Sequence, residues 1–367
     1  MANAIISAGQ TATTTLAHVN VPPAQTWNYL RINDIKMELP TPKVAGDVYA
    51  RLPQLFGKVE VGLGDEAVRW IVSSAGDSNF YEVKAGEART VVVDIDAATG
   101  DACDTGVLVR TGAKATIVTF AHGGAEGSSS ASLLRVVAEA DAEVSIVEIV
   151  AHDGGQHLDG VGIDAGERAQ IEMRQYALGG SRVAVGLACN LAGNKSRFTL
   201  DSRYLAQGSE ILDVNHVVRQ RGRNTRADIV TTGILADSAR KTMRETIDLI
   251  HGAKFAEGSE IETVLVTGDD VVNKTLPVIL CDEEDVAGNH GASIGAISPE
   301  QLSFLGARGL SEEAAEQLFA RALFDDAVIH AGNDDACAAV LARAATVLGA
   351  EVARDIAEVL GVEPKEA

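Results

Sequence analysis

The sequence predicts a mainly β chain: a right-handed parallel β-helix, preceded by an irregular or helical amino-terminal segment and followed by an α-helical carboxy-terminal domain. Three observations predict it. Beyond residue 75, turn-forming residues recur about every fourteen positions, with short β-rich runs between them. The beat stops near residue 297, where helical spacing takes over. Before residue 76 neither rhythm is present, and Pro22, Pro23, Pro40, Pro42 and Pro53 crowd together. This divides the chain into an arm or cap (1–75), a β-helix core (76–296) and a helical domain (297–367).

The arm has one landmark, Thr26-Trp27-Asn28-Tyr29-Leu30-Arg31, where large aromatics follow a proline pair. It reads as a hydrophobic anchor that pins the arm to the body. In the core, turns fall near Gly86, Gly100 and Gly112, then near Gly166, Gly180, Gly193, Gly208 and Gly222, and finally near Gly252 and Gly268. Between such turns lie Val91-Val92-Val93, Val107-Leu108-Val109, Val144 to Val147, Val183-Ala184-Val185, Ile211 to Val214 and Val264-Leu265-Val266. Two strand-and-turn units make a coil of roughly 28 residues, within the range of stacked repeats. In a β-helix, inward side chains form apolar ladders and only the ends need covering, which the terminal segments are expected to do. Spacing alone does not fix strand direction, so an antiparallel sandwich stays open. Ala239 to Ile250 falls on the same beat and is read as a strand with a polar outer face.

The junction from Pro277 to Leu310 carries two architectures. Val278, Ile279 and Leu280 read as a strand bounded by Pro277 and the cluster Asp282, Glu283, Glu284 and Asp285. His290 then sits among glycines, in what reads as a turn. Ser298 is an N-cap, Pro299 opens the helix and Gln301 completes a capping box. Gly309 stops that short helix. Ser311, Glu312 and Glu313 start another, whose apolar positions are Ala315, Leu318, Phe319, Ala322 and Leu323. Asp334 or Asp335 caps a third, with Val340, Leu341, Ala344, Val347 and Leu348 on one face and Val352, Ile356, Val359 and Leu360 extending it to Gly361.

A net charge of −21 over 367 residues argues against nucleic-acid and anionic-membrane surfaces, which need Lys and Arg to displace counterions. No basic leader or long apolar run is seen, so the default location is the cytoplasm. Cys103, Cys189, Cys281 and Cys337 form no C-x-x-C pair and are read as small buried hydrophobes. No phosphate-loop, nucleophile-elbow, zincin or dinucleotide motif is present, and no catalytic residue is assigned. His122, His152 and His157 are read as solvated turn residues, with loop metal ligands as the alternative. Asp201, Arg203, Asp213 and His216 are placed on the outer surface rather than in an internal network. His290 is the better candidate ligand, since Gly291 and Gly295 allow close approach and neutral imidazole is the commonest metal ligand. One histidine is not a metal site, and the other ligands must come from distant residues or a second chain.

Pro277-Val278-Ile279-Leu280, Asp285-Val286, His290 to Gly295, Gln301 to Leu305 and Arg308 to Ala314 together resemble the carboxy-terminal signature of the SufB/SufD family of iron–sulfur cluster assembly proteins. The resemblance is good from about His216 to His330, faint across the earlier β region, and returns weakly at Trp27-Asn28-Tyr29. It implies a non-catalytic subunit of a scaffold complex. Such subunits pair through their β-helices, here with a SufB-type chain or a second copy, and each binds a SufC-type ABC ATPase through its helical end. By the same match His290 is the inter-subunit histidine of SufD-type members, and the segment carrying Phe304, Arg308, Gly309, Leu318 and Phe319 is the ATPase contact. Val271 and Gly291 stand where SufB-type members carry a cysteine and a glutamate, so the chain resembles SufD more than SufB. No cluster is expected to be held stably by this chain alone, only transiently at the interface; a flavin is neither implied nor excluded. Two other classes compete: a β-helix enzyme acting on acidic polysaccharide, and a self-associating structural solenoid.

Overall fold

The computed structural model describes residues 12–24, 32–42 and 49–362. The Trp27 landmark lies outside them. The arm is more regular than its sequence suggests. It holds an antiparallel pair, β1 (Thr13–Val19) with β2 (Ile35–Pro40), a short 3-10 turn at Gln54–Lys58 and a helix, α1 (Asp65–Ser74).

The core is a flattened parallel β-helix of two eight-stranded sheets. One sheet stacks β3 (Asn79–Val83), β5 (Ala102–Val109), β7 (Ser129–Ala138), β9 (Gln156–Ala165), β11 (Arg182–Leu191), β13 (Ile211–Gln220), β15 (Arg240–Leu249) and β17 (Val272–Cys281). The other stacks β4 (Ala88–Asp96), β6 (Lys114–Gly123), β8 (Glu143–His152), β10 (Gln170–Gly179), β12 (Arg197–Ala206), β14 (Arg226–Leu235), β16 (Glu257–Val266) and β18 (Ala287–Gly295). Consecutive strands alternate between sheets, so each coil contributes one strand to each. Glu143 pairs with Gln170 and Gln170 with Arg197, partners 27 residues apart and close to the spacing read from the turns. Parallel pairing in every coil excludes the antiparallel sandwich.

One corner shows why the glycines recur. Asp141, Arg168, Lys195 and Asn224 occupy it in successive coils with φ of 56–61°, and each N–H donates to a carbonyl of the next coil at 2.8–2.9 Å. A Cβ at Gly193 or Gly222 would overlap the backbone of the coil beneath, so stacking at this corner requires glycine there.

The sequence reading has the terminal segments covering the ends of the solenoid; their described residues cover its flanks instead. Leu16, Val19, Met37, Leu39, Trp70 and Ile71 of the arm pack on Ala131, Leu133, Leu158 and Ala184, on the outer face of β7, β9 and β11. The arm is clamped by a buried ion pair. Arg244 donates to both Asp213 oxygens (2.7 and 3.0 Å), Asn20 Nδ2 donates to Asp213 Oδ1 (2.8 Å), and Arg244 Nε donates to the Ile32 carbonyl.

Four helices follow the last strand: α2 (Pro299–Gly306), α3 (Glu312–His330), α4 (Asp334–Leu348) and α5 (Ala350–Leu360). The last three cover Val118, Phe120, Val147, Ile149, Tyr176 and Leu178 on the outer face of the second sheet. Arg343 is buried in that seam and donates to the Leu178 carbonyl (2.9 Å) and to Glu210 (2.8 Å). The capping box at Ser298 and Gln301 forms as read. Two helix readings need correction. Asn333, rather than Asp334 or Asp335, caps α4, and Gly349 at φ 94° ends α4 and begins α5, so the third helix is two. Among the cysteines only Cys189 is fully buried, and Cys281 is exposed at the end of β17.

Candidate functional site

His290 is not in a turn. It lies within β18, the last strand of its sheet, paired only through β16. The segment Ala-Gly-Asn-His-Gly-Ala-Ser-Ile-Gly has little intrinsic strand preference, and its strand geometry comes from register with β16. A Cβ at Gly288 would meet interior Ile279 at 3.2 Å, so residue 288 faces the lumen. Successive side chains alternate, which puts His290 on the same face. His290 is exposed because no described strand lies beyond β18. β17 is likewise the edge of its sheet, where Pro277 is tolerated inside a strand rather than bounding one.

The register places His290 over Glu260, and Glu260 over Ile229. Glu260 is 1% exposed and belongs to a polar chain inside the solenoid. Gln175 Nε2 donates to Glu148 (2.6 Å), while Gln175 Oε1 accepts from Ser202 Oγ (3.0 Å) and pairs with His216 Nε2 (3.0 Å). His216 Nδ1 reaches Glu245 (3.1 Å), which also accepts from Thr231 Oγ1 (2.8 Å). Glu245 and Glu260 are hydrogen-bonded to each other. Alongside, Glu262 accepts from Tyr204 OH (3.0 Å) and from Lys241, whose ammonium also donates to Thr275 Oγ1 (2.9 Å) on β17.

Burial and neighbouring carboxylates set the charge states. Desolvation, with Glu245 close by, pushes Glu260 up to about 10, so it is protonated at neutral pH and donates to Glu245. Glu245 is held below the usual carboxylate range: burial opposes this, but hydrogen bonds from His216 and Thr231 and the Glu260 contact outweigh it. A second acid pair lies deeper. Desolvation raises Asp159 to about 7, and desolvation plus Asp159 raises Glu148.

These findings correct several sequence readings. His216 points inward and Asp213 is buried beneath the arm, whereas Asp201 and Arg203 do lie on the outer face, paired at 3.1 Å. His152 and His157 are fully buried rather than solvated, with ring centroids 5.0 Å apart. Ser130 Oγ lies 3.2 Å from His152 Nε2 and 2.7 Å from His157 Nδ1. A hydroxyl donates once, so one ring must donate to it. Burial lowers both histidines to about 3.

Beside β18 opens an apolar pocket of about 490 Å³, lined on the strand side by Ile294 and Gly295 and on the helix side by Phe319 and Leu323. Phe319 and Leu318 are half-exposed on α3, and Phe304 is more exposed on α2. Arg308 folds its guanidinium over the Phe304 ring, 3.5 Å from the centroid, and Gly309 turns the chain at φ 85°. Phe319 thus adjoins the His290 strand; Phe304, Arg308 and Leu318 do not line this pocket. Among the described residues no group of three His, Cys, Asp or Glu side chains is placed to hold a metal ion. No described helix is long and apolar enough to cross a membrane.

Sequence reasoning missed Glu148, Asp159, Gln175, Lys241, Glu245, Glu260 and Glu262. Their signal was present: polar residues at alternating strand positions, recurring one coil apart.

Residues 93–323, more than half of the chain, match the family model described as SUF system FeS cluster assembly, SufBD core domain. Among curated proteins, the iron–sulfur cluster assembly protein SufD of Bacillus subtilis is 28% identical over 129 residues, 35% of this chain and 30% of that protein. SufD of Escherichia coli is 23% identical over 152 residues, 41% and 36% of the two chains. A SufBD family protein of Methanocaldococcus jannaschii is 21% identical over 180 residues, 49% and 52%. The matched region spans only about a third to a half of these relatives' own lengths.

Proposed function

Because this chain belongs to the SufBD family of iron–sulfur cluster assembly proteins, we propose that it is a non-catalytic, SufD-like subunit of the assembly scaffold, with His290 at a subunit interface. The observation that carries this reading is the place of His290: on the inward row of the last coil, at an end where both sheets present unpaired edges. Unpaired strand edges template pairing with another chain. A partner β-helix seated there would enclose the imidazole.

The cluster is cargo in this reading. A neutral imidazole supplies one ligand to iron, and the remaining ligands come from the partner. The partner is a SufB-type subunit bearing the thiolate and carboxylate absent at Val271 and Gly291. Phe304, Arg308, Gly309, Leu318 and Phe319 form the contact for a SufC-type ATPase, whose motions would reach β18 through α2 and α3. Free thiols at all four cysteines suit a reducing compartment, and the cytoplasm is the proposed location.

Gentle anaerobic purification from the native cell, with identification of what co-purifies, tests the reading. Recovery of an ABC-type ATPase and a cysteine-bearing paralogue supports it; recovery of neither, under conditions that preserve such complexes, overturns it. A second arrangement has its own observation: Cys281 is exposed at the end of β17, on the same open end, with its thiol 3.2 Å from the Glu283 carbonyl. In a self-paired scaffold Cys281 would supply the thiolate, and the ATPase would be recovered without a paralogue.

A further inference from the structure

We propose that Glu260 is the positioning residue for His290: its free carboxyl oxygen receives an imidazole N–H and so fixes which ring nitrogen is left to face the interface. The inference rests on the reading of His290 as an interface ligand. It stands on three observations. Glu260 and His290 are register partners on adjacent strands and share the lumen-facing side, so their side chains run parallel at roughly the 4.8 Å strand spacing. Glu260 uses one carboxyl oxygen on Glu245, and no described residue donates to either of its oxygens, so the other is left to accept. No described residue hydrogen-bonds His290, so the ring has a donor to give, and Glu260 lies one rung beneath it.

What lies behind Glu260 holds its carboxyl in place. Glu260 is tied to Glu245, which is held by His216 and Thr231, and His216 is held by Gln175. These residues sit on five strands, β10, β13, β14, β15 and β16, so Glu260 cannot swing freely. A ligating imidazole commonly donates its other N–H to a carboxylate or carbonyl, which fixes tautomer and ring orientation. The position also departs from its own row. Ile117, Ile146, Met173, Leu200 and Ile229 precede Glu260 on successive rungs, all buried and apolar. An acid where packing alone would take an aliphatic is the kind of local inconsistency that marks functional positions.

The test uses the full chain in its co-purified complex, with ¹⁵N-labelled histidine. The wild type is expected to show His290 as a single tautomer. Glu260→Leu should convert that signal to a mixture and lower cluster reconstitution at least 10-fold, matching His290→Ala, with no further loss in the double variant. Glu260→Gln, whose amide oxygen still accepts, should retain the tautomer and most of the reconstitution. A tautomer mixture in the wild type, or His290 shifts unchanged by Glu260→Leu, overturns the positioning role; if Glu260→Leu does not fold, the wild-type spectrum and Glu260→Gln decide. If His290→Ala forms clusters normally while the tautomer still depends on Glu260, the interface-ligand reading fails and the contact itself stands.

Discussion

Two inward rows lie two residues apart on the same strands and follow opposite rules. The first, Ile117, Ile146, Met173, Leu200 and Ile229, is an apolar ladder in which each side chain packs on the rungs above and below. The second, Thr119, Glu148, Gln175, Ser202, Thr231 and Glu262, is polar at six consecutive rungs and equally buried, with Val93 and Ala292 at its two ends. A stacked solenoid permits this because each row sees itself and the inward residues facing it, and here Asp159, His216, Lys241 and Glu245 of the other sheet meet the polar row. A polar rung is tolerated when its neighbours can hydrogen-bond it, and a mixed row is the expensive arrangement. The first row becomes mixed only at its last two rungs, Glu260 and His290.

The sharpest way to break the comparison is to carry the rule of one row into the other. Leu200→Glu would bury a carboxylate between Met173 and Ile229 with nothing to pair it. A loss of more than about 4 kcal/mol, or failure to fold, is expected in urea denaturation. A tolerated Leu200→Glu would mean that the apolar row is hydrated. The converse change, Gln175→Leu, removes the donor to Glu148 and the acceptor for Ser202 and His216. About 2–4 kcal/mol should be lost, because buried partners are left unmade. A loss under about 1 kcal/mol would show that these contacts are replaced by water at no cost.

Acidity probes the polar side more gently. His152 and His157 are held at about 3, against an ordinary 6.5. Below pH 6.5 the unfolded chain takes up protons that the folded one refuses, so this contribution to stability falls from about pH 6.5 toward pH 3, by up to about 1.4 kcal/mol per pH unit for each histidine. Asp159 and Glu260, raised to about 7 and 10, act in the opposite sense: they bind protons in the folded chain first, and that contribution is lost as pH rises from about 4 toward those values. The histidine part is therefore read as a difference. Urea midpoints of His157→Gln should fall less between pH 7 and pH 5 than those of the wild type. Parallel curves would mean that His157 is charged in the folded protein.

The strands were read from the sequence and the polar row was missed although its residues recur one coil apart, for a physical reason. Val91-Val92-Val93 and Val144 to Val147 announce strands whichever face they show. Which of Asp213 and His216 points inward depends on register, and the arm buries Asp213 on the outer face, which no local pattern reports. His152 and His157 flank Gly154 and Gly155, and the glycines marked the turn correctly while hiding that both rings fold back under it. The junction at Ser298 was readable because a capping box is chemistry contained in four residues. β18 was not, because its geometry is imposed by β16 some thirty residues earlier. Gly349 illustrates the reverse error, since helical spacing resumes in phase beyond it and conceals the break.

The smallest expected effect on stability is also the most discriminating. Glu260→Ile would complete the apolar row over Ile229 and remove a buried carboxyl. It would take one hydrogen bond from Glu245, which keeps those to His216 and Thr231. Replacing a buried polar group by an apolar one of similar volume is often nearly neutral, so the urea midpoint should move by less than about 1 kcal/mol in either direction. Cluster reconstitution, by contrast, should fall as far as in His290→Ala, because the isoleucine offers His290 nothing to hold. A stability loss above about 3 kcal/mol would make Glu260 a structural member of the polar chain. If both measurements stay at wild-type values, the mixed end of the first row has no role in this protein. A neutral midpoint with lost reconstitution would leave only one account of why the row changes its rule at that rung: the acid is kept for the histidine above it.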